Sequence, residues 1–236
     1  MARTIEAVAH IRTPYPEKFG IPRQSGLVAA ESEIIFTPKY RSADAVRGIE
    51  EFSHLWLLWE FSEAKQDAFV PLVFPPRLGG KEKRGVFATR SPFRPNSIGL
   101  SSVRLLEVRQ DTGLGPVLRV QGADLLDGTP IFDIKPYLPY TDAHPEAAGG
   151  FGQRHSGDVI RVEFPEELLK RLPEELRDPV LELLAQDPRA AYHRQREYEY
   201  GMAFGDYDIG FTVQDEVLFV RSVTRRDSED FRKIKG

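Results

Sequence analysis

The segment His54–Phe61, HLWLLWEF, is almost continuously apolar and has the length of a strand. Such a run reads as a strand buried on both faces and central to its sheet. The chain around it is cut by proline and glycine into equally short pieces. Thr4–Ile11 (TIEAVAHI) is a β-tolerant segment that ends at Thr13-Pro14-Tyr15-Pro16, because proline cannot continue a paired interior. Glu33–Thr37 is a second strand, and Ser42–Gly48 is a short helix, Ser-started and Gly-stopped. Ser101–Arg109 and Val117–Gln121, joined by a turn containing Asp-Thr-Gly-Leu-Gly, read as a hairpin, and Ile131–Ile134 is another strand. Many short strands with polar residues gathered in ordered loops predict a mainly β chain, an antiparallel barrel with a site at one rim.

Four loops carry the chemistry. Gly85–Leu100 (GVFATRSPFRPNSIGL) reads as a buried strand, Gly85–Thr89, running into a turn that carries Arg90, Arg94 and Asn96 beside Pro92 and Pro95. Prolines fix φ and remove donors, so this turn presents its side chains from a stiff frame. A ligand-holding turn and a structural loop of salt-bridged arginines both fit that pattern. Glu17–Leu27 has too much Pro and Gly for an element but keeps Phe19, Ile21 and Leu27 as anchors. Arg23 and Gln24 are therefore positioned donors, to a ligand or to nearby carbonyls. Ser62-Glu63, at the end of the central strand, is where a side chain emerges into a rim pocket. Gly122–Pro130 (GADLLDGTP) places Asp124 and Asp127 around two leucines ahead of an Asp-Gly turn, and Asp133–Tyr140 forms a second rigid polar loop.

Thirty-two Lys and Arg against 36 Asp and Glu give a formal charge of −4, so a polyanion must be bound by a local patch and not by the global field. Arg77, Lys81, Lys83, Arg84, Arg90, Arg94 and Arg104 form one, opposed in that span only by Glu82; a solvated charged face is the alternative. The chain has no cysteine, which excludes disulfides, thiolate metal sites and a cysteine nucleophile. Its five histidines are scattered without ligand spacing, so no metal site is expected. P-loop, GxGxxG, HExxH and GxSxG motifs are all missing. With neither a signal peptide nor a long apolar run, a cytoplasmic protein with no membrane partner is expected.

Ala143–Gly157 is a small, glycine-containing linker, which predicts a barrel domain over 1–142, a linker over 143–158 and a second domain over 159–236. The second domain reads as small and α+β. It opens with the strand Val159–Phe164, continues through two helices split by Pro173, and ends in a three-stranded meander over Tyr198–Val223. Asp187–Tyr192 (DPRAAY) enters the meander and offers an arginine and a tyrosine, and the charged residues after Val223 read as a frayed tail.

Taken in order, PYPEKFGIPRQSGL, AVRGIEEFSHLWLLWEF, PPRLGG, GVFATRSPFRPNSIGLS and GADLLDGTP with IFDIKPYLPY closely resemble the TrmO (TsaA-like) family of S-adenosylmethionine-dependent tRNA methyltransferases. The likeness covers about residues 5–142, and LAQDPRAAY resembles the family's C-terminal region. It implies a β-barrel methyltransferase that works as a homodimer. The implied reaction is methyl transfer to N6 of N6-threonylcarbamoyladenosine at tRNA position 37, next to the anticodon. By the same resemblance the S-adenosyl-L-methionine contacts fall on Pro22, Arg23 and Gln24, on Ser62 and Glu63, on Arg90 and Leu100, and on Ala123, Asp124, Leu125, Leu126 and Asp127. Some relatives carry His-Gln where this chain has Ser62-Glu63, a change that backbone contacts would survive.

The residue types suit a cationic sulfonium and a flat adenine, which call for a carboxylate, polar groups and an apolar wall. The acceptor nitrogen must lose a proton, and Asp127 or Asp133 is the expected catalytic acceptor. Arg77, Lys81, Lys83, Arg84 and Arg94 are the expected phosphate contacts for the anticodon loop of tRNA, with Tyr137, Tyr140 or Tyr192 available to stack a base. Two other readings share these features: a non-catalytic barrel binding RNA or an adenosine compound, and a methyltransferase of this scaffold with another acceptor.

Overall fold

The computed structural model describes residues 4–64, 68–75, 78, 82–153, 157–189 and 198–226. Six strands, β1 (Ala9–Arg12), β2 (Glu31–Phe36), β3 (His54–Glu60), β6 (Ile98–Asp111), β7 (Gly115–Gln121) and β8 (Pro130–Pro136), close in the order β1-β2-β7-β6-β3-β8. All neighbours are antiparallel, and the β1–β8 pairing of Ala9 with Ile131 closes the ring. Side chains alternate in and out along each strand, so one set fills the interior: Ile11, Ile34, Leu55, Leu57, Val103, Leu118, Val120 and Ile131. A barrel this small is a packed core, and its site must lie at a rim.

The central strand is central as expected, since β3 pairs with both β6 and β8. It is not buried on both faces. Leu55, Leu57 and Trp59 point inward, while His54, Trp56, Leu58 and Glu60 are half-buried. A closed barrel has one interior, and outside it Trp56 is covered only in part, by the Tyr137 ring and the Asp142 carboxylate. A register shift falls between Leu58 and Trp59 on the β8 side, and that is where β3 runs out to the rim.

The expected strand Gly85–Thr89 is a second correction. Only Arg84–Gly85 (β5) pairs, with Leu72–Val73 (β4), and Val86–Ala88 then turn into a 3-10 helix that leaves Phe87 73% exposed. The segment Ser42–Gly48 is likewise a single 3-10 turn, Ala43–Val46, followed by Gly48 at φ 85°.

The C-terminal region is a second packed unit. Here β10 (Tyr200–Phe204), β11 (Tyr207–Gln214) and β12 (Val217–Arg225) form the expected meander, with β9 (Arg161–Glu163) added parallel to β12. The short helix α3 (Glu166–Leu169) and the longer α4 (Glu174–Ala185) cover it, each led in by a proline. Two further short helices, Pro139–Asp142 (α1) and Gly150–Gln153 (α2), occupy the chain between the two units.

The core of this second unit also takes residues from the N-terminal loop. Tyr15, Val28 and Ala30 are buried in it, and Phe19 stacks on Tyr200 and Phe211. Gly20 has φ +91°, and a Cβ there would meet the Met202 side chain at 2.6 Å, so the loop lies flat on the sheet only as glycine. Loop 13–30 thus leaves β1, crosses to the C-terminal unit and returns to β2. Among the described residues no helix is long and apolar enough to cross a membrane.

Candidate functional site

One rim of the barrel carries a cleft of about 610 Å³. Three loops and two strand ends build it: Lys18–Gln24, Trp59–Ala64, Thr89–Arg94, Ile98–Leu100, and Asp124 with Leu126 and Thr129. The spacing in GADLLDG explains the last group. From Ala123 the chain still alternates, so Ala123 and Leu125 are buried in the barrel while Asp124 and Leu126 face the cleft. Asp127 then leaves the alternation for the turn at Gly128, whose amide donates to the Ile11 carbonyl.

Asp124 is the best-supported carboxylate in the cleft. Its Oδ1 accepts from the Ser101 hydroxyl at 2.5 Å, and Ser101 Oγ in turn accepts from the Trp59 indole N–H at 3.0 Å. Trp59 and Ser101 are both buried. Burial pushes the Asp124 carboxyl above its ordinary value, while the Ser101 hydroxyl, nearby backbone amides and the Arg90 charge draw it back. The net direction is upward, and a carboxyl perturbed by burial in a cleft is a candidate acid–base group.

A second chain of hydrogen bonds frames the opposite wall. Arg90 Nη1 donates to Gln24 Oε1 at 2.5 Å, Gln24 Nε2 donates to the Arg23 carbonyl at 2.5 Å, and Arg23 Nη2 donates to the Asp187 carbonyl at 2.6 Å. Arg23 and Gln24 are therefore fixed by neighbouring carbonyls, and they still line the cleft. Lys18 bridges to the Glu63 carbonyl and carboxylate at 3.0 and 3.2 Å, closing the rim between the first two loops.

Of the residues expected at the cofactor site, Pro22, Arg23, Gln24, Ser62, Glu63, Arg90, Leu100, Asp124 and Leu126 come together here. Ala123 and Leu125 stand behind them in the core. Asp127 is exposed, and its Oδ1 accepts the Thr13 amide at 3.1 Å, pinning the β1 end to the turn. Asp133 lies on β8, paired to Lys135 at 2.8 Å and capping the Ile134 amide; it does not line the cleft.

The expected RNA contacts scatter. Arg84 is ion-paired to Glu82, and the Lys83 ammonium sits over the Phe74 ring. Arg94 lines the cleft, but its Nη1 is spent on the Val86 and Thr89 carbonyls, so it also braces the turn. Tyr137 bonds to the His54 carbonyl and Tyr140 follows in α1, which puts both at the end of β3 remote from the cleft. Arg77, Lys81 and Tyr192 lie outside the described residues. Sequence reasoning missed Phe61, Phe93 and Ser101. Phe93, 45% exposed at the cleft, is framed by Pro92 and Pro95, and an aromatic residue in so rigid a turn was the available signal.

The tRNA-methyltransferase O N-terminal domain matches residues 10–143, and the TrmO C-terminal domain matches residues 158–226. The chain belongs to the TrmO family. Its curated relatives include the tRNA (adenine(37)-N6)-methyltransferase of Escherichia coli K12, 44% identical over 221 residues that span 89% of this chain and 93% of that one. A crystal structure of TrmO from Pseudomonas aeruginosa superposes with a TM-score of 0.71 at 34% identity, covering 95% of this chain and all of that one. A probable S-adenosyl-L-methionine-binding protein of Methanothermobacter thermautotrophicus is 42% identical over 139 residues. That match spans 93% of the archaeal protein but only 59% of this chain. Among the described residues no group of three or more acidic or histidine side chains is placed to hold a metal ion.

Proposed function

We propose that this TrmO-family chain methylates N6 of the threonylcarbamoylated adenosine at position 37 of tRNA, with S-adenosyl-L-methionine held in the rim cleft. The observation that carries the reading is the cleft itself, whose residue types suit that donor. At about 610 Å³ it is in the range of cofactor pockets, with apolar walls from Phe61, Ile98, Leu100 and Leu126 and a few convergent polar groups. Pro22–Gln24, Ser62, Glu63, Arg90 and Leu100 would hold the donor. When bound, it supplies an electrophilic methyl group.

The chain's own residues then have two tasks. The stiff turn of Arg90–Arg94 and the braced Gln24 hold the reactants in register, which is where most of the acceleration in a simple displacement arises. Asp124 takes the proton from the acceptor N6. Burial makes its carboxylate a stronger base, while the Ser101 hydroxyl and the Arg90 charge act in the opposite direction. Asp127 and Asp133 act as scaffold, through Thr13 and Lys135 respectively. Phe93 is the base-stacking platform at the cleft mouth, and Lys83, Arg84 and Arg94 meet the anticodon-loop phosphates. Work on tRNA accords with a cytoplasmic location, and the exposed Phe69, Leu72, Phe74 and Phe87 accord with a homodimer.

The test is incubation with methyl-labelled donor and total tRNA from a strain lacking this activity, followed by nucleoside mass spectrometry. One methyl gained by the threonylcarbamoylated adenosine supports the reading. Label on a different nucleoside would make the acceptor wrong, and absence of label with donor binding retained would leave a binding barrel.

A further inference from the structure

The cleft's Arg23–Gln24–Arg90 wall does not end in the barrel. It ends on the backbone carbonyl of Asp187, in the turn that follows α4 in the C-terminal unit. That turn is locked from within. The Asp187 carboxylate takes the Arg189 guanidinium in a fork, Oδ1 from Nε at 2.8 Å and Oδ2 from Nη2 at 3.1 Å, and accepts the Arg189 amide as well. Both side chains are nearly sealed, at 7% and 6% exposure. Asp187 itself stands at φ 50°, in the left-handed region that aspartate tolerates better than most side chains. Pro188 between the two removes one more degree of freedom. Buried fork pairs are kept for geometry more readily than for stability. Here the geometry fixed is that of the carbonyl that receives Arg23.

The geometry points to the Asp187–Arg189 pair as a positioning device of the cofactor site: the C-terminal unit sets the Arg23–Gln24 loop, and through Gln24 it sets Arg90. The inference rests on the proposed cofactor reading. Neither residue lines the cleft, and the Arg23 hydrogen bond to the Asp187 carbonyl is the route by which the pair reaches it. An archaeal relative that matches 59% of this chain is named as a probable S-adenosyl-L-methionine-binding protein, which accords with a pocket that less than the whole chain can supply.

The test is a double-mutant cycle on the full chain, read as the dissociation constant for S-adenosyl-L-methionine by calorimetry, well below every variant's unfolding midpoint. Asp187→Asn is expected to weaken binding about tenfold. Arg23→Ala and the Arg23→Ala/Asp187→Asn double variant are expected to bind equally weakly, because Asp187 acts through Arg23. A merely structural pair would give additive losses, and that result overturns the inference, as does an Asp187→Asn variant that binds like the parent. If Asp187→Asn does not fold, Arg189→Lys, which keeps the charge and loses the fork, takes its place in the cycle. A parent chain that binds no donor would overturn the cofactor reading and this inference together; a parent that binds, with additive variants, overturns the inference alone.

Discussion

Adding one methyl group at Gly99 should disable the site without touching a polar atom. Gly99 lies on β6 beneath the Trp59 indole, and an added Cβ would sit 2.3 Å from Cε2, 2.5 Å from Cζ2 and 2.6 Å from Cδ2 of that ring. Ordinary contact begins near 3.4 Å, so in Gly99→Ala the indole must retreat by about an ångström. It has little room, being 6% exposed and packed against Phe61 at 4.3 Å between centroids. Overpacking of this kind costs about 1–3 kcal/mol, or about 2–4 °C of Tm per kcal/mol in a chain of this size. The same displacement stretches the Trp59–Ser101 bond beyond its 3.0 Å and loosens Ser101 beneath Asp124. An ångström of misplacement at a reacting group lowers turnover by about 10²-fold, far more than the stability loss would at a temperature where the variant is folded. Urea unfolding gives the first quantity, and single-turnover methyl transfer on tRNA gives the second. A Gly99→Ala enzyme with parental turnover would refute the argument that the Trp59–Ser101–Asp124 chain serves catalysis.

Other substitutions separate chemistry from scaffold. Asp124→Asn should lower turnover by about 10²–10⁴-fold, measured with saturating donor and tRNA. The folded pKa of Asp124 is raised, so its contribution to stability is greatest below the unfolded carboxylate value of about 3.9 and is lost as pH rises through the folded value. Asp124→Asn should remove that fall from a pH series of unfolding midpoints, and a series that parallels the parent's would contradict the assignment. Asp127→Ala should keep turnover within about twofold while costing about 0.5–1.5 kcal/mol in urea unfolding, because it loses only the Thr13 hydrogen bond. If Lys83 and Arg84 meet phosphates, log affinity for tRNA should fall linearly with log salt, and the Lys83→Ala/Arg84→Ala variant should show a shallower slope; an unchanged slope would assign both to local pairing.

Much of this architecture was legible because the barrel's strands announce themselves in short apolar runs between prolines and glycines. The hairpin of β6 and β7, the meander of β10 to β12 and the split of α3 from α4 at Pro173 are all read directly from such punctuation. Burial on two faces of β3 was not, since a run of apolar residues has the same composition in a flat central strand as in a barrel stave. The segment Gly85–Thr89 misled for a related reason. Phe87 is apolar yet exposed, stacked on Phe69 at 6.4 Å instead of on a core. The site's loops were found by their proline frames. The choice among aspartates depended on side-chain alternation from Ala123 and on Ser101, a strand away in space and far in sequence. The role of Asp187 in the cleft wall depended on a contact across 164 residues, which no local pattern carries.

Binding of the methyl donor in the rim cleft can be checked by a crystal structure with S-adenosylhomocysteine. Ligand density is expected along the Leu100 wall, bounded by Pro22–Gln24, Ser62-Glu63 and Arg90, with the Asp124 carboxylate in reach of the sulfur end. Ligand density at another face of the barrel, with the cleft filled by solvent alone, would contradict it.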